Sequence, residues 1–561
     1  MVYGGQIMTR ITSPSHYQQA IFDHLVTSSK PLIIEATAGS GKTSTITEAC
    51  HRIAPRTALI VAFNKTVADT LTSRLPKNAK AKTLHSFGLA AWKRLRPDVQ
   101  VNARKLDVLA EADVKANRLP QHLAFKVTKL TRLARTHGLV PHVPAQHADA
   151  LKHPYTENEQ EPLAAAFGTL PLDSILPDTI DAWTELGKRF DVFGSTPPVT
   201  IVPHARRLLH TAIFYAHVID YDDMIYMPTL TQATKWTVDA NVLMVDELQD
   251  LDNLQRRLIA KLAKQAQFVG VGDSRQAIYS FRGAGSHNGQ TAIELLADEL
   301  GAEKLPLSIC YRCPTSHLDL ARWVEPRIEA RPGAPTGTLL RYGDDGTLAC
   351  AMPEKHGFSC TCCAQDGDAP ITDPVHFQPG DVVVSRPKAP LIKLAYWLLR
   401  HDVPCMILGR DIAQELHSYL VSHVRYGESV PPNVLADRVK ASTAKLIAKL
   451  EDEDEITELT DRRDVLVSVL LRHGSVDRAI DSLNSLFGTE RRMDAVCLST
   501  IHKFKGGEAD RVWWLDYHKP CLESPMLRHP WQRREAENLR FVASTRSRDF
   551  LGLIKSKSFS G

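Results

Sequence analysis

Two short stretches carry residue types that could do chemistry together. The first is ATAGSGKT, residues 36–43, directly after the apolar run PLIIE. Gly39 and Gly41 let backbone N–H groups turn inward around phosphate oxygens, with Ala38 and Ser40 completing the loop. Lys42 is placed to reach the β- and γ-phosphates of ATP, and Thr43 to ligate Mg²⁺. A helix following the loop would aim its positive end at the same anion. The second stretch is LMVDELQD, residues 243–250, an apolar run ending in Asp246, Glu247, Gln249 and Asp250. A buried strand should not end in a knot of carboxylates unless something positive meets them. Beside the phosphate loop that charge is Mg²⁺ on Asp246, with Glu247 placed to orient and deprotonate an attacking water. Taken alone, DELQD also fits a helix start whose acids meet the dipole, and ATAGSGKT a plain strand, turn and helix. Together they point to hydrolysis of a nucleoside triphosphate.

These residues need a scaffold, and the apolar pattern supplies one. PLIIEA (31–36), TALIVAF (57–63), VLMVDE (242–247) and QFVGVGD (267–273) are continuous apolar runs between helical stretches. DVVVSR (381–386), PCMILG (404–409), AVCLST (495–500) and RVWWLD (511–516) repeat the theme. Such runs predict parallel strands covered on both faces, in two α/β domains. The expected first domain is 1–92 with 201–305, and the second is 306–415 with 488–561. Residues 93–200 and 416–487 lack strong strand signals and are expected as mostly helical insertions. The acidic run EDEDE (451–455) in the shorter insertion is expected as a solvated helix end or loop.

Further stretches narrow the class. GDSRQAIYSFRGA (272–284), YRCP (311–314), STIHKFKGGEADRVWWL (499–515) and ENLRFVASTRSRDFL (537–551) follow in order. With the two stretches above, this set resembles the superfamily 1 DNA helicases of the UvrD/Rep-like branch, from Gln18 to about Leu551. The resemblance implies two RecA-like P-loop NTPase domains, with ATP and Mg²⁺ as cofactors. It implies that Gln18 in SHYQQAIF, or its neighbour Gln19, reads adenine. It implies that Gln276 senses the γ-phosphate, Tyr311 stacks on adenine, Arg312 touches the γ-phosphate and Glu508 meets the ribose. Arg546 takes the place of the arginine finger. The chain departs from the pattern at Ala36, Ser274, Arg275, Gly507 and Ser547, none of which removes a catalytic group. Its second insertion is also short for the family.

The resemblance places nucleic-acid contacts as well. FNKTVAD (63–69) and TLHSFG (83–88) resemble the family's DNA-contacting motifs, with Phe63, Asn64, His85 and Phe87 as candidates. Core packing is the competing expectation for Phe87. Tyr279, Phe281 and Arg282 follow Gln276 closely and could turn nucleotide state into base stacking. QHLAFKVTKLTRLAR (121–135) reads as an amphipathic helix with Lys126, Lys129, Arg132 and Arg135 on its polar side. It is either a track for a DNA backbone or an ordinary solvated face.

Composition bounds the rest. The chain has 561 residues, 43% of them hydrophobic, and a formal net charge of +4. At about 100–200 residues per domain this length suggests three or four domains. The mild basicity permits an anionic partner without demanding one. No run is apolar enough for a membrane span, and the N-terminus has no apolar signal core. Ten cysteines are too sparse for a disulfide scaffold and suit an intracellular, cytoplasmic setting. The short chain fits a bacterial or phage-infected cell as the expected source. Cys350, His356, Cys360, Cys362 and Cys363 lie close together, but without paired C-x₂-C spacing a loop of reduced thiols is favoured over zinc. The expected function is an ATP-dependent helicase or translocase on single-stranded DNA and its junctions with duplex, moving 3′→5′, with replication, repair or nuclease proteins as partners. The chain stops about ten residues after its last motif, so a nuclease would be a separate partner. A translocase that strips proteins without unwinding, and a DNA-binding scaffold on a decayed motor fold, are the alternatives.

Overall fold

The computed structural model describes residues 10–554 apart from 63, 141–175, 195, 231–236, 281–289, 343–347, 350–375, 402, 410–418, 425–427, 429, 449–452, 473–474, 489–490 and 518–528. Contacts divide the chain into two compact units, Met1–Ser308 with Arg528–Glu535, and Ile309–Leu527 with Ala536–Gly561.

The first unit is built on six strands: β1 (Leu32–Ala36), β2 (Ala58–Ala62), β3 (Ala79–Thr83), β4 (Val242–Val245), β5 (Gln267–Gly272) and β6 (Glu303–Leu307). Their order is β6-β1-β5-β4-β2-β3, and every pairing is parallel. Parallel strands need crossovers, so helices cover both faces and the central strands bury both sides. Alternation along β1 shows this: Ile34 packs in one core with Ile60, Met244 and Val269, while Ile33 packs in another with Leu59, Leu243 and Phe268. The apolar runs at 31–36, 57–63, 242–247 and 267–273 form the four central strands, as the pattern predicts. The two edges carry no such run. β3 is AKAKT with Lys80 and Lys82, and β6 is EKLPL with Pro306, residues that suit sheet edges and give no buried-strand signal.

The second unit has eight strands: β7 (Thr338–Tyr342), β8 (Leu348–Ala349), β9 (Val382–Ser385), β10 (Cys405–Leu408), β11 (Phe487–Gly488), β12 (Val496–Thr500), β13 (Ala509–Leu515) and β14 (Ser547–Ile554). The order is β8-β7-β14-β13-β9-β12-β10-β11, parallel except for the β7–β8 pair. Helices Pro432–Ile447, Glu453–Arg472 and Val476–Leu486 make the shorter insertion, and Leu435, Val439, Leu466 and Leu470 join the core of this sheet. Of the acidic run, Glu453 to Glu455 open the second of these helices. Both units are therefore RecA-like α/β domains with parallel sheets and helical insertions.

Helices Lys105–Lys115, Ala124–Thr136 and Ile180–Arg189 of the first insertion, and Pro198–Phe214, which runs from its end into the segment after it, share one continuous core with a face of the first sheet. Gly88 helps seat it. A Cβ there would lie 2.0 Å from the Met224 carbonyl oxygen, so only glycine lets helix Leu84–Leu95 meet helix Asp223–Leu230 this closely. The cations of the basic stretch 121–135 are engaged with carbonyls and acids of the protein itself. Lys126 Nζ donates to the Phe193 carbonyl and Thr196 hydroxyl, each at 2.9 Å, and Lys129 Nζ donates to the Phe190 carbonyl. Arg132 pairs with Asp107. Arg135 is only 1% exposed and binds Asp220, Asp222 and Asp223, the last also held by Lys105 at 2.7 Å. Periodicity picked out Leu123, Val127, Leu130 and Ala134 as buried but put buried Arg135 on the polar side, and it could not show that carbonyls and acids wait opposite the cations.

Removing one member of such a buried ion cluster strands the others. Arg135→Met should cost about 3–5 kcal/mol in urea unfolding of the chain, whereas the exposed Arg132→Ala should cost about 0–1 kcal/mol.

Candidate active site

The phosphate loop leaves β1 and is braced by β6. The Thr37 N–H donates to the Leu307 carbonyl at 3.0 Å, and its hydroxyl donates to the Ser308 carbonyl at 3.0 Å. Gly39 and Gly41 have φ of 69° and 80°, the left-handed region that glycine enters without cost. At Gly41 nothing lies within 4 Å of where a Cβ would sit, so the space beside it is open. The Ser40 hydroxyl is buried with no hydrogen-bond partner among the described residues. Lys42 opens helix Lys42–Arg52, and its Nζ lies 3.8 Å from Glu247 Oε2. An orphaned buried hydroxyl, a cradle of glycines and a lysine at a helix start fit the phosphates of a nucleotide.

Opposite the loop, the ends of β4 and β5 supply the acids. Asp246 is buried, and burial together with neighbouring Glu247 pushes its carboxyl up to about 7. A divalent cation suits such a group, because its charge would offset the desolvation and the repulsion at once. Asp246 and Thr43 are the residues that would hold it. Glu247 adopts φ 56° and ψ 45°, an uncommon conformation for a residue with a side chain and one that recurs at functional sites. Gln249 donates through Nε2 to Glu247 Oε2 and accepts the Asp273 N–H at its own Oε1, 3.0 Å. Asp273 in turn accepts from Gln276 Nε2 at 2.6 Å, and burial raises its pKa. A chain of contacts thus runs Lys42, Glu247, Gln249, Asp273, Gln276. Gln249 and Asp273 were not among the expected site residues. The signal was present, since Asp273 ends β5 as Asp246 follows β4.

Gln18 is tied up locally. Its Oε1 accepts the Ser15 N–H in a capping box at the start of helix His16–Thr27, and its Nε2 donates to the Thr45 hydroxyl at 3.2 Å. Gln19 donates to Asp23.

The second unit gathers the other expected residues. Arg312 Nε donates to Glu508 Oε2 at 2.5 Å, and Arg312 Nη1 donates to the Thr545 carbonyl at 3.2 Å. Burial opposes ionisation of Glu508, yet Arg312, Arg548 and Arg546 hold its carboxyl below the usual range. Arg546 is 1% exposed, with Nε donating to the Val542 carbonyl, Nη1 to the Gly507 carbonyl and Nη2 to the Thr545 hydroxyl. Tyr311, beside Arg312, is 43% exposed. Ser547, one of the departures from the family pattern, hydrogen-bonds buried His317 Nδ1 at 2.8 Å. Arg312, Glu508 and Arg546 therefore form one cluster with Tyr311 at its surface.

Residues 17–295 match the family model for the UvrD/REP helicase N-terminal domain. The chain belongs to the UvrD/Rep-like family of superfamily 1 helicases. Among its relatives, the ATP-dependent DNA helicase Rep of Escherichia coli (strain K12) is 26% identical over 298 residues, 49% of this chain and 38% of Rep. The ATP-dependent DNA helicase SRS2 of Saccharomyces cerevisiae is 24% identical over 300 residues, 48% of this chain and 23% of SRS2. A Rep from Buchnera aphidicola (subsp. Acyrthosiphon pisum) is 42% identical over 83 residues, 14% of this chain and 13% of that protein. In each case the match spans well under half of the relative's length.

On the first unit of this UvrD/Rep-like chain, a cavity of about 1380 Å³ is lined by Asp246, Asp250, Asp252, His85, Tyr279 and parts of the first insertion. It links the metal-type carboxylate to two expected DNA-contacting residues. Burial holds the His85 imidazole below its ordinary pKa, against the pull of Asp222, so it is neutral near pH 7. Asn64 caps helix Lys65–Thr72 by accepting the Val67 N–H. Phe87 packs against the first core, the competing expectation for it. Phe63, Phe281, Arg282 and the Cys350–Cys363 stretch lie outside the described residues.

The linking residues can be tested directly. Asp273→Asn and Gln249→Ala should each lower kcat for ATP hydrolysis by about 10–100-fold while leaving KM nearly unchanged, read by steady-state kinetics.

Proposed function

We propose that this chain is an ATP-dependent motor on single-stranded DNA, a helicase moving 3′→5′ that couples hydrolysis to duplex unwinding. The observation that carries the reading is the contact chain from Lys42 through Glu247, Gln249 and Asp273 to Gln276, at the ends of parallel strands beside a phosphate loop. Family membership and relatives named ATP-dependent DNA helicases support it.

In this reading Lys42 and the loop from Ala38 to Gly41 hold the phosphates, and Thr43 and Asp246 hold Mg²⁺. The ion, when bound, neutralises charge on the phosphates. Glu247 takes the proton of the attacking water, and Gln249 fixes its carboxylate. Gln276 senses the γ-phosphate, and its tie to Asp273 passes that state to Tyr279 three residues on. Phe281 and Arg282 extend the DNA-facing segment, with Phe63, Asn64, His85 and Phe87 as the other contacts. Neutral His85 would meet DNA by hydrogen bonding or stacking rather than as a cation. Arg312 and Arg546 donate positive charge to the transition state, Tyr311 and Gln18 hold adenine, and Glu508 holds the ribose. For Arg546 this requires giving up the Val542 and Gly507 carbonyls. Residues 1–92 with 201–305 and 306–415 with 488–561 are proposed as the two motor domains, with 93–200 and 416–487 inserted. The setting is cytoplasmic, at single-strand to duplex junctions, beside replication, repair or nuclease proteins. Among the described residues no helix is long and apolar enough to cross a membrane.

The test uses duplexes carrying a 3′ or a 5′ single-stranded tail, with ATP and Mg²⁺. The 3′-tailed duplex should separate, and Lys42→Ala should abolish separation. Preference for the 5′ tail overturns the direction. Hydrolysis and protein displacement without strand separation select the translocase.

A further inference from the structure

Cys310 and Cys313 flank Tyr311 and Arg312 as a C-x-x-C turn, a feature the proposed motor does not use. Both side chains are buried, at 0% and 2% exposure, while Tyr311 between them is 43% exposed, so the turn lies at the surface of its unit. The Cys313 N–H donates to Cys310 Sγ at 3.4 Å. Cys313 Sγ also donates to the Thr545 carbonyl at 3.5 Å, the same oxygen that takes Arg312 Nη1 at 3.2 Å. The pair differs from the other described thiols. Burial pushes Cys50, Cys405 and Cys497 up to about 12, which leaves them inert. For Cys310 the adjacent Cys313 outweighs burial and, with the backbone N–H groups and Arg312, lowers the thiol to about 6, while Cys313 is raised. Cys310 is thus the sulfur favoured as thiolate, and Cys313, whose N–H it accepts, stands beside it as a resolving thiol. Among the described residues no group of three or more metal-ligating side chains exists, so a metal has too few partners here.

We propose that Cys310 and Cys313 are a redox modification site, closing to a reversible disulfide on exposure to hydrogen peroxide and thereby displacing Tyr311 and Arg312. The Cys310 thiolate attacks one peroxide oxygen, the O–O bond breaks, and the leaving hydroxide takes a proton to become water. The resulting sulfenic acid is attacked by Cys313 sulfur, which loses its proton as the S–O bond breaks and a second water leaves. Two thiols are oxidised by two electrons in total, and the peroxide is reduced to two waters. Closure removes the S–H donor from the Thr545 carbonyl, the oxygen that also takes Arg312 Nη1, so Arg312 loses part of the setting that aims it. The effect on hydrolysis rests on the motor reading above, whereas the disulfide does not.

The experiment treats the full chain with hydrogen peroxide, denatures it in iodoacetamide and digests it with trypsin. Cleavage after Arg312 puts the two cysteines on separate peptides. The expected result is a linked pair of those peptides, lighter than their sum by two hydrogens and separated by dithiothreitol. Hydrolysis of ATP should be lost in step with linkage and return on reduction, and Cys310→Ser and Cys313→Ser should keep their activity through the peroxide treatment. Recovery of both cysteines as separate alkylated peptides, or linked to other cysteines, overturns the site. Linkage with unchanged hydrolysis overturns the displacement of Arg312. Linkage in a protein that hydrolyses no ATP even when reduced upholds the site and sinks the motor reading instead.

Discussion

Burying carboxylates at the ends of parallel strands is the constraint that orders the first unit. Asp246 and Asp273 sit where desolvation penalises their charge, and each is raised for that reason. Such groups persist only with compensation from cations, amides or a metal. Here the compensation comes from one side, the phosphate loop with Lys42, and from Gln249 and Gln276, whose amides bridge the acids. The strained backbone of Glu247 belongs to the same arrangement, since its side chain reaches both Lys42 and Gln249. A site so wired responds as a unit to a ligand that changes its charge.

The sheet makes that possible by burying both faces. Its central strands β4 and β5 are apolar up to their C-terminal ends, so the polar residues that follow them fall at one end. The first insertion extends one of the two cores without a break, and a second buried charge cluster, Arg135 and Lys105 with Asp220 and Asp223, holds it together. The helix meant for DNA by one reading of the sequence is thus part of the frame that shapes the cavity beside Asp246.

Much of this was legible in the residues, for physical reasons. Buried parallel strands advertise themselves as unbroken apolar runs, so β1, β2, β4 and β5 could be read, as could β9, β10, β12 and β13. Edge strands such as AKAKT hide their identity because half of their side chains face water. Local motifs pointed to Lys42, Asp246, Glu247 and Gln276 but not to Gln249 as a connector, because its bond to the Asp273 N–H joins residues 24 apart in sequence and has no local signature. The fate of Lys126, Lys129 and Arg135 was likewise set by distant carbonyls and acids.

The most direct measurement of the central claim is steady-state ATP hydrolysis by the full chain, with and without single-stranded DNA, beside Glu247→Gln. The account predicts strong stimulation by the strand and a loss of about 10²–10⁴-fold in the variant, with nucleotide binding retained. Hydrolysis absent from the wild-type chain under both conditions while DNA is still bound, or undiminished in Glu247→Gln, would contradict it.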